Sequence, residues 1–416
     1  MSGSRNSDSD GAFVIEAVTV FDGERVLSDP ADVYVKGSEI AQVGPSVDVD
    51  ASVRRIDGQA LTLLPGLLDC HTHSANDATE IALRFGVTTE LDMNSMPSWM
   101  DDLRRESRER DDVADVRSAS TGGTVRGGHP TYLMPADHIQ HFPYIDDAAM
   151  AERFVVDRIA EGADWIKVFI EDGTVTGAGP IPMVTPEIVR AVVAAAHAHG
   201  RMVVAHATAL AAARTAVSCG VDGLVHIFID EPAPEDLLDE IAEKDVFVVA
   251  TLATLGSLSA RRSGEHLADD PRVAPFLPEE WRDNLRHTWA RTDREFHLEV
   301  AMETVRRLHD RGARVLAGSD AVRVKAGPGT AHGVSLHDEL VLLTRAGLTP
   351  TEALRAATSL AADTFSLNDR GRIQPGKQAD LLLVRGRPDV EIDSTLDIHK
   401  VWRRGVELDR RPARVG

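Results

Sequence analysis

Cysteine is nearly absent: Cys70 and Cys219 are the only two in 416 residues. That leaves no disulfide framework and suits a reducing compartment. Long apolar runs are missing too. Nowhere does the chain hold about 18 consecutive apolar residues, the length a transmembrane helix needs. Residues 1–12 are polar and acidic, with neither a basic nor an apolar leader region, and read as a disordered lead-in. The expected location is therefore cytoplasmic. Positive charge is in deficit, with 45 basic residues against 66 acidic ones and a formal charge of −21. Nucleic-acid affinity comes from clustered cations, so this balance argues against such a partner. Lysine is scarcest of all: six of the 45 cations. A lysine inside an apolar run therefore needs a chemical reason. The arginine-rich, acidic composition fits a high-GC genome or a salty cytoplasm equally well.

What remains is ordinary globular composition, 43% hydrophobic and 27% charged. The length suits one barrel-sized domain and a smaller module. Residues 13–64 read as short strands (13–20, 32–36, 39–43, 53–56 and 60–64) broken by turns at Asp22-Gly23 and Gly44-Pro45. Beyond residue 66 apolar strands alternate with helical stretches such as 186–198, 209–218 and 235–243. The strands fall at 67–73, 87–93, 116–121, 165–170, 202–206, 223–226, 246–250 and 314–317. Eight strands in strict alternation with helices predict an α/β fold, a parallel (β/α)8 barrel of the TIM type. Short strands return at 379–384, 400–403 and 405–408. The expected organisation is a small β-sandwich built from 13–64 and 369–416, flanking a barrel over 65–368.

In such a barrel the chemistry sits at the carboxyl ends of the strands. The first strand ends in His71 and His73, and period-two alternation sends both to the interior, with Cys70 and Thr72 facing the helices. Paired imidazoles suit a transition metal, or serve as structural histidines. Lys167 sits between Ile166 and Val168, where a bare ammonium is costly to desolvate. Carboxylation by carbon dioxide resolves that cost; snorkelling, or pairing with Glu171 or Asp172, is the other solution. The fifth, sixth and eighth strands end in His206, His226 and Asp320. Singly these are core histidines and a helix cap. Jointly they place metal-ligand types on five strand ends.

These residues carry a resemblance. Segment 64–73, LPGLLDCHTH, resembles the opening metal motif of the amidohydrolase superfamily, and segment 371–384, GRIQPGKQADLLLV, is similar to that family's return to its β-sandwich. The order His71, His73, Lys167, His206, His226, Asp320 resembles the binuclear subtype with a carboxylated lysine. Ala205-His206-Ala207 and Gly318-Ser319-Asp320-Ala321 resemble the imidazolonepropionase-like branch, with its prolidase-type and ochratoxinase-type members. One departure stands out: Val225-His226-Ile227 replaces the Glu-His-Gly that many of that branch carry.

The resemblance implies two divalent metals, zinc foremost, with manganese or cobalt able to substitute. One would lie on His71, His73 and Asp320, the other on His206 and His226, and carboxylated Lys167 would bridge them. It also implies hydrolysis of an amide C–N bond in a small molecule or dipeptide by a metal-bridging hydroxide, with Asp320 as the catalytic proton carrier. Expected partners are a small-molecule substrate and further copies of the chain, with no nucleic acid and no membrane. Arg126, His129 and Tyr132 in the long third loop, and Arg323 and His332 in the eighth, are candidate substrate contacts, or residues that order their loops. The polar segment 256–280 is a candidate lid. Competing readings are an esterase, lactonase or phosphotriesterase on the same site, and a non-catalytic assembly protein that keeps the barrel.

Overall fold

The computed structural model describes residues 11–27, 30–75, 77–134, 139, 142–260, 264–289 and 296–412. The expected lead-in over 1–12 thus lies, residues 11 and 12 apart, outside the described residues. Near the amino end the chain forms β1 (Phe13–Val20), β2 (Ala31–Lys36), β3 (Glu39–Gly44), β4 (Arg54–Asp57) and β5 (Leu61–Pro65). In β2 the side chains alternate: Ala31, Val33 and Val35 are buried, Asp32, Tyr34 and Lys36 face outward, as a one-sided strand requires.

The barrel strands follow. The first three, β6 (Leu67–Thr72), β7 (Val87–Asp92) and β8 (Asp115–Ser118), form one parallel sheet. The next five are β9 (Ile166–Phe169), β10 (Val203–His206), β11 (Gly223–Leu224), β12 (Phe247–Val249) and β13 (Val315–Leu316), and they form a second parallel sheet. Parallel bridges between Gly123 and Val168 and between Thr72 and Ala321 join the two at both edges. The result is a distorted TIM-barrel-like ring, with all eight strand ends at one mouth. Helices including Pro186–Ala198, Leu210–Ser218 and Glu235–Glu243 occupy the intervals.

Finally β14 (Leu381–Arg385), β15 (Ile398–Arg403) and β16 (Val406–Glu407) return to the amino-terminal strands. One sheet runs β16-β15-β14-β5-β1-β2-β3, with β4 beside β1. Leu383 stands opposite Leu63, and the Trp402 ring stacks on Phe13 at 5.3 Å.

Two apolar layers hold the barrel. The outward faces of the strands, such as Ile166, Val168, Val203 and Val248, pack on helix residues Val189, Val192 and Leu237. The interior is filled by Leu68, Cys70, Leu91, Val204, Phe247, Val249 and Leu316. Phe365 closes its lower end against Trp165 and Phe247. Cys70 therefore packs in the interior, not against the helices as alternation predicts. The β6–β7 register slips between Asp69 and Thr72, and that irregularity re-aims His71 toward the mouth after Cys70 has already pointed inward. Both cysteines are buried and free. Among the described residues no helix is long and apolar enough to cross a membrane.

Candidate metal centre

Position at the mouth begins with backbone ties. The Asp69 carboxylate accepts hydrogen bonds from the backbone N–H of His71 (3.2 Å) and Ser319 (2.9 Å) and from the Ser319 hydroxyl (2.6 Å). It thus clamps β6 to the turn after β13. Burial pushes its pKa up to about 7. The Asp320 N–H donates to the His71 carbonyl at 2.8 Å, and Asp320 itself adopts φ 51°, the left-handed region an aspartate reaches at some cost. Gly318 permits this close approach, because a Cβ there would lie 2.9 Å from the His71 backbone nitrogen.

These ties bring His71, His73 and Asp320 together. Their ligand atoms lie within 4.8 Å of one another, forming the one such group of three or more His, Cys, Asp or Glu among the described residues. Asp320 Oδ1 is 3.1 Å from His73 Nε2 and 3.4 Å from His71 Nε2. Yet Oδ1 and both ring nitrogens of buried His71 lack hydrogen-bond partners. Orphaned buried polar atoms of this kind are costly. An imidazole–imidazole–carboxylate donor set facing one point fits a divalent transition metal. His73 Nδ1 lies 3.0 Å from the Asn94 carbonyl oxygen and donates to it, which leaves Nε2 free as a ligand.

His226 and His206 stand beside this group but outside it. The His226 ring is 4.6 Å from His71 and 4.5 Å from His206. Its Nδ1 pairs with the Thr251 hydroxyl at 2.8 Å. Thr251 is a buried, β-branched residue at φ 51°, a strained backbone position that aims this hydroxyl. His206 Nε2 faces Glu171 Oε2 at 3.3 Å, and the Thr208 hydroxyl donates to the same oxygen. Burial, followed by the Lys167 charge, drives His206 down to about 3, so the ring is neutral, the form in which an imidazole can bind a metal.

Lys167 is 1% exposed, and its Nζ has no hydrogen-bond partner. Pairing with Glu171 or Asp172 is thus not what holds it. Burial pushes its pKa down to about 7, against the opposing pull of Asp320 and Asp92. Gly122 makes room for it: a Cβ there would meet Lys167 Cγ at 2.9 Å and the Phe169 ring at 2.5 Å.

The mouth opens into a cavity bordered by His73, Trp99, His129, Tyr132, Phe169, His206, His226, Trp289, Asp320 and Arg323, among others. Of the expected substrate contacts, His129 and Tyr132 lie on its wall and are linked at 2.9 Å, and His129 stacks on His206 at 4.4 Å. Arg323 borders it as well. Arg126 and His332 do not. Arg126 is largely exposed, pairs with Asp146 at 3.2 Å and lies over the Tyr144 ring. His332 is buried behind the wall, 2.6 Å from Glu90. Burial alone would lower its pKa, but Glu90 outweighs that and holds it above the ordinary value. The lid expectation is also corrected at its start: Gly256 belongs to the buried helix Leu252–Leu258, whose Thr254 and Leu258 form cavity wall. Residues 261–263 of that segment lie outside the described residues. Reading the sequence alone overlooked Asp69, Asn94 and Thr251, and gave Glu171 only as a partner for Lys167 rather than for His206 and Thr208. Asp69 and Glu171, carboxylates flanking the ligand strands, were visible as residues in it.

Comparison with known proteins agrees with this architecture. An imidazolonepropionase of Streptomyces avermitilis is 25% identical over 417 aligned residues, covering 92% of this chain and 85% of that protein. Among solved structures, a Xaa-Pro dipeptidase with bound methionine superposes with a TM-score of 0.74 at 22% identity, over 95% of this chain and 99% of the other. Phenylurea hydrolase B superposes with a TM-score of 0.75 at 21% identity, over 96% and 97%. The amidohydrolase family profile matches residues 62–408, and the chain belongs to that family.

Proposed function

We propose that the chain is a metal-dependent hydrolase that cleaves an amide C–N bond in a small molecule or dipeptide. The observation that carries this reading is the convergence of His71, His73 and Asp320, with partnerless ligand atoms, at the mouth of a cavity-bearing barrel. His71, His73 and Asp320 would hold one divalent ion, and His206 and His226 a second, with Lys167 bridging as a carbamate. Zinc suits this donor set, and manganese or cobalt could replace it. Such ions, when bound, supply Lewis acidity and render a water nucleophilic near neutral pH.

The chain's own groups supply the rest. A lysine lowered to about 7 is substantially neutral at physiological pH, and its nitrogen lone pair adds to carbon dioxide with loss of one proton. The Asp320 carboxylate accepts the proton of the attacking water and returns it to the leaving nitrogen. In this reading His129 and Tyr132, joined on the cavity wall, would hydrogen-bond the carbonyl oxygen as charge develops on it, once the Tyr132 hydroxyl turns from Thr176, to which it donates at 2.8 Å.

Elemental analysis of protein produced with zinc and bicarbonate, combined with assays on N-acyl amino acids, dipeptides, lactones and aryl phosphotriesters, tests the reading. The expected result is two metals per chain and C–N cleavage. Full activity at one metal per chain would sink the binuclear form. Turnover confined to lactones or phosphotriesters would favour the esterase-type alternative, and metal-loaded protein inert on the whole panel would favour a non-catalytic role.

A further inference from the structure

On the hydrolase reading above, we infer that the substrate carries one carboxylate beside an apolar or aromatic body, and that Arg323 selects it. Arg323 follows Asp320 by three positions, on the turn after β13. Among the described residues it is the single Lys or Arg on the cavity wall, and Asp320 is the single Asp or Glu. Asp320 faces the histidines, so the guanidinium meets no carboxylate inside the cavity. Many other arginines of this acidic chain are ion-paired, as at Arg286, Arg306 and Arg311. Arg323 forms no ion pair among the described residues. Its guanidinium carbon lies over the Trp99 ring, 5.2 Å from the ring centre, and no described residue accepts a hydrogen bond from its N–H donors.

The turn that presents Arg323 is rigidly held. Buried Asn284 donates to the carbonyls of Gly327 (2.8 Å) and Thr330 (2.9 Å) and accepts from the Lys325 N–H (2.9 Å). The Ser257 hydroxyl donates to the Pro328 carbonyl at 2.6 Å. A cation on a pinned turn is preorganised, and little freedom is lost when it binds.

The charge balance selects the ligand. A single guanidinium matches a monoanionic carboxylate edge to edge. The remaining wall, including Met96, Trp99, Phe169, Leu258 and Trp289, suits an apolar or aromatic body.

The test compares 3-phenylpropionate with its neutral isostere 3-phenylpropionamide. Dissociation constants are read from tryptophan fluorescence and by calorimetry, at a measured and constant metal content. The acid is expected to bind about tenfold more tightly than the amide. Arg323→Gln should bring that ratio near one while the amide's affinity and the melting temperature stay put, and Arg323→Lys should retain part of the preference. A native protein that does not distinguish acid from amide would overturn the inference. So would an Arg323→Gln protein that keeps the full preference, since the carboxylate would then be held by a metal or a histidine. Neither readout requires turnover, so failure of the hydrolase reading shows separately, as inert protein in the substrate panel.

Discussion

The barrel mouth and the sheet shared by the two chain ends obey opposite rules. In the sheet, charged groups find partners: Arg403 meets Asp380 at 3.1 Å, and Glu407 is reached by both Arg54 and Lys400. Its unpartnered buried polar atoms include Arg403 Nε, whose guanidinium is otherwise engaged, and the neutral Trp402 Nε1. At the mouth His71, Lys167 and Asp320 all keep buried polar atoms without partners. A fold tolerates such costs where something else repays them. The contrast separates residues kept for stability from residues kept for chemistry.

Substitutions can break or sharpen that contrast. The largest effect is expected from Lys167→Ala. On the proposed reading it lowers turnover by roughly 10³-fold, equivalent to about 4 kcal/mol, and reduces metal content. Because the amine is buried without a partner, the melting temperature of the metal-free variant should not fall below that of the metal-free parent. Steady-state kinetics, metal analysis and a thermal melt decide it; normal turnover with two metals bound would refute the carbamate. Leu383→Ala is the opposite case. It deletes a fully buried side chain facing β5 and should cost about 3 kcal/mol in urea unfolding, with metal content and kcat/KM unchanged.

Thr251 joins the two rules in one residue. Thr251→Ala removes the hydroxyl on His226 Nδ1 and should weaken metal affinity by roughly tenfold, measured by chelator competition. Thr251→Gly loses the same hydroxyl but relieves the left-handed strain, and should be more stable by about 1 kcal/mol. Equal stability of the two variants would remove strain from the explanation.

The smallest effect concerns Glu339, buried in the helix Val334–Arg345, where its carboxylate accepts the Ala253 N–H. Burial raises its pKa from 4.5 to about 8. Between those values the folded chain holds a proton that the unfolded chain has lost, so stability falls as pH rises through the window. Glu339→Gln should flatten that part of the melting-temperature profile.

Much of the fold was legible because eight apolar strands each end in a break: even β11 and β13, two residues long as regular strand, stand out as Gly223-Leu224 and Val315-Leu316 between helical periodicities. The expected ligand residues were legible as strand-end polar residues. Their surroundings were not. Alternation misplaces Cys70 because a register slip leaves no mark in composition. Arg126 and His332 belong to loops, and the path of a loop through space is set by packing with distant residues such as Asp146 and Glu90. Thr251 carries no signal at all, since its value lies in a backbone angle.

The pairing of β5 with β14 also imposes an order of events on synthesis. Strands β1 to β5 leave the ribosome first, and the apolar edge of β5 then waits, its N–H and C=O groups unmatched, while the whole barrel is made. Until residues 381–385 emerge, that edge is a template for any other extended chain. Nascent chains halted inside the barrel should therefore be the aggregation-prone species of this protein, and the last strands act as the latch that retires the hazard.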